Sequence, residues 1–378
     1  MNKIELCGSD KCTQCYGCVS VCPKACIKMA ETSEGIFYPV IDVDKCIECG
    51  ICVRSCHQLN NVDRNSISHV YAAWAKDNSI RTSSSSGGVF SVVAEFIINS
   101  GGVVYGAAYE SGLKVRHIRV ADVYNLNKLK GSKYIQSSTC GVYARVKADL
   151  MSGHLVLFSG TPCQIAGLRM FLKRKYENLI CIDLVCHGVP PQRVFDAYIG
   201  KIGLDRANID NFGFRYTKGW GFELSYDGKI LSPVNSYYLR AFTKGYMFIN
   251  ACYSCKYATL DRVGDITLAD FWNIGDYLPF EYSTRKGVSM MLINSDIGEK
   301  IICDIRNSLD IFDRSIEEAT KTNWNLIKAS EFPRERLTYI DDSYKLSKKD
   351  LIRKYCLSPS IKDYIRPYYR KLCYFFNI

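Results

Sequence analysis

Apolar and polar positions divide the chain into a short beginning without long apolar runs and a longer region with clear periodicity. The polar segment NNVDRNSISH is typical of a linker, and HVYAAWA, which overlaps its end, predicts a strand. RTSSSSGG is rich in turn and cap residues, and it precedes VFSVVAEFIINSG, whose apolar spacing predicts a buried helix ending at Gly101. GGVVYGAAY predicts the next strand.

Two later segments repeat the order strand, loop and helix. HLVLF leads through SGTPCQ into IAGLRMFLKRKY, and LICIDLVC leads through HGVPPQ into RVFDAYIGKIG. This alternation favours an α/β layer with parallel pairing, in which ligands bind beyond the carboxyl ends of the strands. SGTPC and CHGVP are therefore expected beside a ligand. NFGFRYTKGWGFELSYDGKILSP predicts hairpins, and KGVSMMLINSDIGEKIICDI predicts a strand, a turn and a helix.

The first 56 residues carry ten of the 19 cysteines, and eight of these form one pattern twice, in CTQCYGCVSVCP and, 34 residues later, in CIECGICVRSCH. C-x2-C-x2-C-x3-C is the ligand run of two-cluster bacterial ferredoxins, in which the fourth cysteine of each run binds the other cluster. The pattern therefore predicts two [4Fe-4S] clusters and an electron-transfer role. One cluster is assigned to Cys12, Cys15, Cys18 and Cys56, and the other to Cys46, Cys49, Cys52 and Cys22.

Zinc and disulfides are the alternatives for these cysteines. Zinc sites usually place two C-x2-C knuckles around each metal, so the third cysteine of each run and Pro23 favour clusters. A disulfide framework is disfavoured because no apolar signal segment precedes Cys7, and the expected compartment is the cytoplasm. His57 stands where proline is usual, Cys7 is surplus to both clusters, and Cys26 is expected to be a packing residue.

The composition sets limits on the function. At 378 residues and 47% hydrophobic content the chain is long enough for a large core, and no apolar stretch is long enough to predict a membrane span. Most of the net charge of +11 comes from residues 343–378, which hold nine Lys or Arg and two Asp. Because the remainder is close to neutral, a nucleic-acid partner is not expected. The oligomeric state is not predicted.

The basic tail mixes Lys and Arg with Tyr, Phe, Leu and Ile. The favoured interpretation is a pair of terminal helices, interrupted near Pro359 and Pro367, that packs an aromatic face on the domain. The alternative is a peripheral anchor on an anionic membrane surface.

Seven motifs in the larger region occur in an order that identifies a resemblance: SSSSGGVFS, GSKYIQSS, FSGTPCQIAGL, DLVCHGVP, CYSCKY, GDITLADFW and KGVSMMLIN. Together they resemble the coenzyme F-420 hydrogenase/dehydrogenase beta-subunit family, whose members are iron–sulfur flavoproteins that bind FAD. The expected fold is α/β, or α+β overall. A ferredoxin-like module is expected at residues 1–62, a mixed-sheet FAD and iron–sulfur domain at 68–310, and a helical region at 311–378.

The resemblance also implies a third [4Fe-4S] cluster in the larger domain. The matching positions are Cys163, Cys186, Cys252 and Cys255. Two cysteines at strand ends and a C-x2-C pair could converge on one site, with a zinc site or unrelated core cysteines as the alternatives. Packing roles are expected for Cys140, Cys181, Cys303, Cys356 and Cys373.

FAD is implied by the resemblance, and local features suggest where it would bind. The turn that precedes the apolar helix could hold a phosphate at a helix N-terminus, although plain N-capping explains it equally well. Lys133 could contact a flavin phosphate or be a solvated surface lysine, and His187 is the acid/base candidate, with Asp270 as a second. The expected cofactor-binding residues are Ser85, Ser86, Gly87, Gly88, Lys133, Gly160, Thr161 and Pro162.

Two functions remain open from the sequence. The first is a flavin-dependent oxidoreductase that takes electrons from ferredoxin or another redox protein and reduces a small organic substrate. The second is a non-catalytic electron-transfer subunit of a larger complex, and a purely structural iron–sulfur protein is a weaker third. The substrate and the direction of electron flow are not predicted.

Overall fold

A computed structural model describes residues 4–215, 220–365, 369 and 372. The α-helices are α1 (Gly17–Val21), α2 (Ile51–Arg54), α3 (Asn78–Thr82), α4 (Val89–Asn99), α5 (Val123–Leu126), α6 (Val142–Met151), α7 (Pro162–Leu172), α8 (Gln192–Lys201), α9 (Tyr237–Thr243), α10 (Asp296–Asp304), α11 (Ile316–Thr322), α12 (Arg336–Lys345) and α13 (Lys348–Lys354). The strands are β1 (Ile27–Glu31), β2 (Phe37–Ile41), β3 (His69–Ala75), β4 (Val103–Glu110), β5 (Lys114–Val120), β6 (Val156–Gly160), β7 (Leu179–Leu184), β8 (Phe212–Gly213), β9 (Ser225–Tyr226), β10 (Lys229–Ile230), β11 (Ile266–Asp270), β12 (Ser289–Ile293) and β13 (Leu309–Asp313).

An eight-stranded mixed sheet forms the larger part of the molecule, in the order β13-β3-β12-β11-β7-β6-β4-β5. Its centre is parallel, because β4 pairs with β6, β6 with β7, and β7 with β11 in the same direction. The flanking pairs are antiparallel. The predicted α/β fold class is therefore confirmed, and the carboxyl ends of β6, β7 and β11 meet at one edge of the sheet.

Successive residues of the central strands point to opposite faces, and helices cover both. Leu157 and Ile180 pack with α4 and α10, whereas Phe158 and Cys181 pack with α6 and α7. Strands β6 and β7 are apolar along their length because a strand that is buried on both faces has no solvent-facing positions for alternating polar residues. The predicted hairpins form the small sheet β10-β9-β8.

The C-terminal helices pack into the same core as the middle of the chain. Tyr339 of α12 and Tyr355 after α13 are buried against the aromatic cluster built by α8 and α9. The predicted division at residue 310 falls inside β13, which pairs with β3. Beyond this core Ile361, Tyr364 and Ile365 are exposed, and much of the tail, including Pro367, lies outside the described residues. Within the described ranges, no helix has the length and apolar character needed to span a membrane.

The backbone of the N-terminal module repeats with the 34-residue period of its cysteines. Gln14 and Glu48 have φ of 57° and 51°, and Tyr16 and Gly50, which precede α1 and α2, have φ of 59° and 68°. The left-handed conformation costs a non-glycine residue ~1–2 kcal/mol, so the loops need a compensating interaction. Bonds between the cysteines and iron would supply it.

The module contacts α7 of the larger region at a glycine. A Cβ added at Gly167 would lie 2.9 Å from the Cys15 Cβ and 2.8 Å from the Tyr143 hydroxyl oxygen. The Thr139 hydroxyl donates a hydrogen bond to the Cys15 carbonyl at 2.9 Å. Gly167 therefore permits the approach of the first cysteine run to α7.

His57 links the module to the larger region a second time. The ring is almost fully buried; its Nδ1 lies 2.7 Å from the Tyr257 hydroxyl and its Nε2 lies 2.9 Å from the Thr13 hydroxyl. A neutral imidazole has one donor and one acceptor, and two hydroxyl groups can satisfy both. Proline could make neither bond, which gives the departure at this position a structural reason.

We expect Gly167→Ala to destabilise the protein by ~1–3 kcal/mol, because the added methyl group overpacks the contact with Cys15. Gly200→Ala in α8 is the matched control: nothing lies within 4 Å of the added Cβ, and alanine favours a helix by ~0.5–1 kcal/mol over glycine. Anaerobic thermal unfolding of both variants measures the difference. Equal unfolding temperatures would contradict a tight contact at Gly167.

Candidate redox site

The cysteines assigned to the first cluster, here called site I, come together from both runs. Cys15 interacts electrostatically with Cys18 and Cys56, and Cys18 interacts with Cys56. Burial and the neighbouring Cys56 together raise the pKa of Cys18 to about 12. The fourth cysteine of the second run thus lies with the first run, as the crossed assignment requires. The full set of site I is Cys12, Cys15, Cys18 and Cys56.

The second set, site II, also combines cysteines of both runs. Cys52 interacts electrostatically with Cys49 and with Cys22, the crossed member from the first run. A small cavity here is lined only by residues between 4 and 52, and Cys49 is exposed. Site II is therefore the outermost of the cysteine groups. Its members are Cys46, Cys49, Cys52 and Cys22.

The four cysteines expected in the larger region, site III, also converge. Cys163 lies in the first turn of α7, Cys186 follows β7, and Cys252 and Cys255 come from one loop. Burial, with the neighbouring Cys163 and Cys255, raises the pKa of Cys186 to about 12. Cys252 interacts with the other three. Buried thiols that oppose each other's ionisation favour a bound cation that stabilises thiolates.

The cysteines are not arranged for single ions. In the part of the chain that the structure describes, no three His, Cys, Asp or Glu side chains are placed to hold one metal ion. A cubane cluster differs, because each cysteine binds its own iron atom and the four sulfurs stay apart. The all-thiolate donor sets therefore fit clusters better than the zinc alternative.

The remaining cysteines divide into two groups. Cys181 is buried in the core, as a packing role requires. Cys140, Cys303 and Cys356 are exposed, so the packing interpretation is wrong for them: two occupy solvent-facing positions near helix ends and Cys140 lies in a turn. Cys373 lies outside the described residues.

A cavity of about 1010 Å³ opens at the carboxyl ends of β6, β7 and β11, next to site III. Its volume is at the upper end of the range of small-molecule sites, and is large enough for a dinucleotide. Cys186 belongs to both the cavity wall and site III. The predicted residues that line it are Ser85, Ser86, Gly88, Lys133, Gly160, Thr161, His187 and Asp270, whereas Gly87 and Pro162 are not part of its wall.

One end of the cavity suits an anion. Helix α4 begins after Gly88, which has φ of +88°, and no side chain caps its first amides. Val89, Phe90 and Ser91, which carry those amides, line the cavity. Uncapped N–H groups at the positive end of a helix attract phosphate, and the side chains of Lys130 and Lys133 line the same cavity.

The serine hydroxyls beside α4 are used inside the protein. Ser84 donates to the Ile80 carbonyl at 2.7 Å and Ser86 donates to the Val288 carbonyl at 2.9 Å. Ser85 accepts a hydrogen bond from the Ser132 amide at 3.0 Å. The serines therefore hold the turn in place and bring the segment around Lys133 to it, while the backbone amides stay available for a ligand.

Lys133 is a cavity residue rather than a solvated one. Its Nζ donates to the Lys128 carbonyl at 3.0 Å and to the Lys130 carbonyl at 2.8 Å. Burial lowers the pKa of Lys133 to about 7. A small change in its surroundings, such as a bound anion, therefore decides whether the amine is charged at neutral pH.

The turn after β6 is built by reciprocal hydrogen bonds. The Gln164 side chain accepts from the Thr161 amide and hydroxyl at 3.0 and 3.1 Å, and forms a capping box with Thr161. A Cβ added at Gly160 would lie 3.0 Å from Gln164 Oε1 and 3.2 Å from His117 Nε2. Glycine is thus needed for the backbone to pass these side chains at the cavity wall.

His187 and Asp270 share the cavity and have different partners. Burial lowers the pKa of His187, and the Asp270 carboxylate partly offsets this. The carboxylate of Asp270 accepts two hydrogen bonds from Arg215, at 2.6 and 3.1 Å, and one from Trp220 Nε1 at 2.7 Å. Asp270 is therefore engaged in holding its neighbours, and the His187 imidazole, which lines the same cavity, interacts with the Asn325 side chain.

Two features, His117 in the wall and Arg215 behind it, had no sequence signal. Buried His117 lies in β5, where Nδ1 is 2.8 Å from the Ser137 hydroxyl and Nε2 is 3.0 Å from the Ser159 carbonyl. Arg215 lies over both Phe222 and Trp272, with its guanidinium carbon 4.6 and 5.0 Å from the ring centres. Trp272 lies in GDITLADFW, one of the seven motifs, whereas Arg215 and Phe222 lie in the segment that predicted hairpins.

Comparisons with known proteins match both parts of the chain. Residues 11–59 match the family described as 4Fe-4S dicluster domain, and residues 153–319 match the family described as the C terminus of the Coenzyme F420 hydrogenase/dehydrogenase beta subunit. The resemblance drawn from the motifs is confirmed. The module is similar to a ferredoxin of Rickettsia felis, with 44% identity over 50 residues, which are 13% of this chain and 41% of that protein. The chain thus spans less than half the length of that relative.

One similar structure belongs to the F420-reducing [NiFe] hydrogenase complex from Methanosarcina barkeri. The match has a TM-score of 0.47 and 12% identity, and covers 78% of this chain and 94% of the other.

If site III holds a [4Fe-4S] cluster, Cys255→Ala should remove about four iron atoms per chain, because a thiolate ligand is lost. Cys303→Ala changes an exposed cysteine outside all three sites and should leave the iron content unchanged. Iron and acid-labile sulfide measured after anaerobic purification distinguish the two. Unchanged iron in Cys255→Ala would contradict cluster binding at site III.

Proposed function

Because residues 153–319 place this iron–sulfur protein in the coenzyme F420 hydrogenase/dehydrogenase beta-subunit family, we propose that it is a flavin-dependent oxidoreductase. Its electrons would come from ferredoxin or another redox protein, and its substrate would be a small organic molecule. No feature of the described cavity favours a nucleic-acid partner. The cytoplasm remains the expected compartment, with membrane contact through the tail as an untested alternative.

The observation that carries the proposal is the order of the sites. Site II is exposed on the module, site I lies against α7, and Cys15 of site I interacts electrostatically with Cys163 of site III. Cys186 of site III lies in the wall of the cavity. This order supports a continuous electron path from the protein surface to an enclosed ligand.

The cavity residues fit FAD. The uncapped amides of α4, with Lys130 and Lys133, would hold its pyrophosphate, and the Gly160–Thr161 turn would face its ring system near site III. FAD when bound would exchange single electrons with clusters and electron pairs with the substrate. His187 would hold or release a proton at an imidazole nitrogen, and the Asp270–Arg215 pair would keep Trp220 and Trp272 in position.

The alternative, a non-catalytic subunit, is favoured by a different observation. Val43 and Ile47 are 62% and 57% exposed beside the exposed Cys49 of site II. An apolar surface around the outermost site suits a protein partner. In this alternative the cavity would serve a cofactor alone, and the isolated chain would have no substrate.

We predict that FAD affinity falls as the pH rises from 6 to 8.5. Lys133 is charged below its pKa of about 7 and neutral above it, so the charged form that attracts phosphate is lost as the pH rises. Above that pKa the affinity for FAD should fall by up to about tenfold per pH unit, until it reaches the affinity of the protein with a neutral Lys133. Fluorescence titration of flavin-free protein with FAD at each pH measures the affinity.

Lys133→Met should weaken FAD binding and abolish most of the pH dependence, because it keeps the stem but removes the charge. Lys114→Met, at an exposed position in β5, is the matched control and should behave as the wild type. An equally steep pH dependence in Lys133→Met would rule out this lysine as the source.

The first experiment for the function is anaerobic purification with iron, sulfide, zinc and flavin measured on one sample, beside visible and EPR spectra. About twelve iron atoms and one FAD per chain would support the oxidoreductase and justify a substrate screen with reduced ferredoxin. About eight iron atoms without flavin would reject it and favour the electron-transfer subunit.

A further inference from the structure

Each cluster site of the N-terminal module contains a fifth cysteine. At site II the Cys26 sulfur lies 3.4 Å from the sulfur of Cys22, and Cys26 also interacts with Cys46. At site I Cys7 interacts through its side chain with Cys12 and Cys56. Cys7 and Cys26 are 6% and 4% exposed, so water does not compete for either thiol.

The two extra cysteines hold equivalent places. Cys7 interacts with Cys12, the first cysteine of the first run, and with Cys56, the crossed cysteine of the second. Cys26 interacts with Cys46, the first cysteine of the second run, and with Cys22, the crossed cysteine of the first. The backbone beside each is tied to β2 or its end: the Tyr38 hydroxyl donates to the Cys7 carbonyl at 2.6 Å, and the Asp42 amide donates to the Cys26 carbonyl at 2.8 Å.

This equivalence does not come from the duplication. Shifted by the 34-residue period, Cys7 would correspond to Ile41 and Cys26 to Asn60, and neither of those is a cysteine. Thiols from unrelated positions in the two halves have therefore been placed at matching points of the two sites. A packing role would be filled equally well by any small apolar residue and would not require sulfur at both points.

We propose that Cys7 and Cys26 are positioning residues that donate S–H···S hydrogen bonds to ligand sulfurs of their own sites, Cys26 to the crossed ligand Cys22 and Cys7 to Cys12. Hydrogen bonds to ligand sulfurs are one of the factors that set the reduction potential of an iron–sulfur cluster. A donor stabilises the reduced cluster more than the oxidised one, because the reduced cluster carries more negative charge. Each thiol thus raises the potential of its own cluster.

The inference depends on the 4Fe-4S dicluster domain at residues 11–59 and not on the flavin. If the oxidoreductase proposal fails, the role proposed for Cys7 and Cys26 still stands, because its test measures the potentials of the module clusters without substrate or ferredoxin. The chemistry also gives a matched series of variants. Serine keeps a donor at each position, and alanine removes it.

The test is an EPR-monitored redox titration of the full-length protein, with iron counted on the same samples. Cys26→Ala should lower the midpoint potential of one module cluster and Cys7→Ala that of the other, with full iron content in both. Cys26→Ser and Cys7→Ser should restore most of the shift. Cys303→Ala, at an exposed cysteine far from the module in sequence, should change nothing.

Two results would overturn the proposal. Unchanged potentials in both alanine variants would show that the thiols only fill space. Loss of about four iron atoms in either alanine variant would show that the thiol is itself a ligand, and would replace the crossed assignment at that site.

Discussion

The close approach of Cys15 to Gly167 is the constraint on which the arrangement of the redox sites depends. It brings the first cysteine run against the first turns of α7, and Cys163 lies in the same helix. Any side chain at Gly167 would push the module away. The hydrogen bonds of His57 with Thr13 and Tyr257 then fix the orientation around this contact. Further contacts, such as the hydrogen bonds of Arg336 and Tyr344 with Glu34, join the module to the larger region at other points.

The cavity follows from the sheet rather than from any single motif. Parallel strands end together at one edge, so the turns after β6, β7 and β11 form one wall, and the start of α4 forms another. Most polar side chains of this wall already bond to the protein, as Ser84, Ser86 and Asp270 do. The first amides of α4, which no side chain caps, remain for a ligand, and they suit an anion.

Local patterns predicted much of this fold. Strands β6 and β7 and helix α4 were identified from apolar runs because a buried element must be apolar along its length or its face. The ligand runs were identified because a cluster needs thiolates at fixed short spacing. Contacts such as His117 with Ser159, or Arg215 with Asp270, could not be identified, since the partners are 42 and 55 residues apart and no local pattern marks them.

The sequence by itself determined the module, its duplicated ligand runs and the α/β character of the remainder, because these depend on short-range spacing and burial. Only the tertiary structure decided the order of the three sites, the confinement of Lys133 and the matching positions of Cys7 and Cys26. These depend on chain segments that are distant in sequence and meet only when the sheet and its helices close. Cys26 shows the difference most clearly: its sequence context suggests packing, and its neighbours in space are the sulfurs of two ligands.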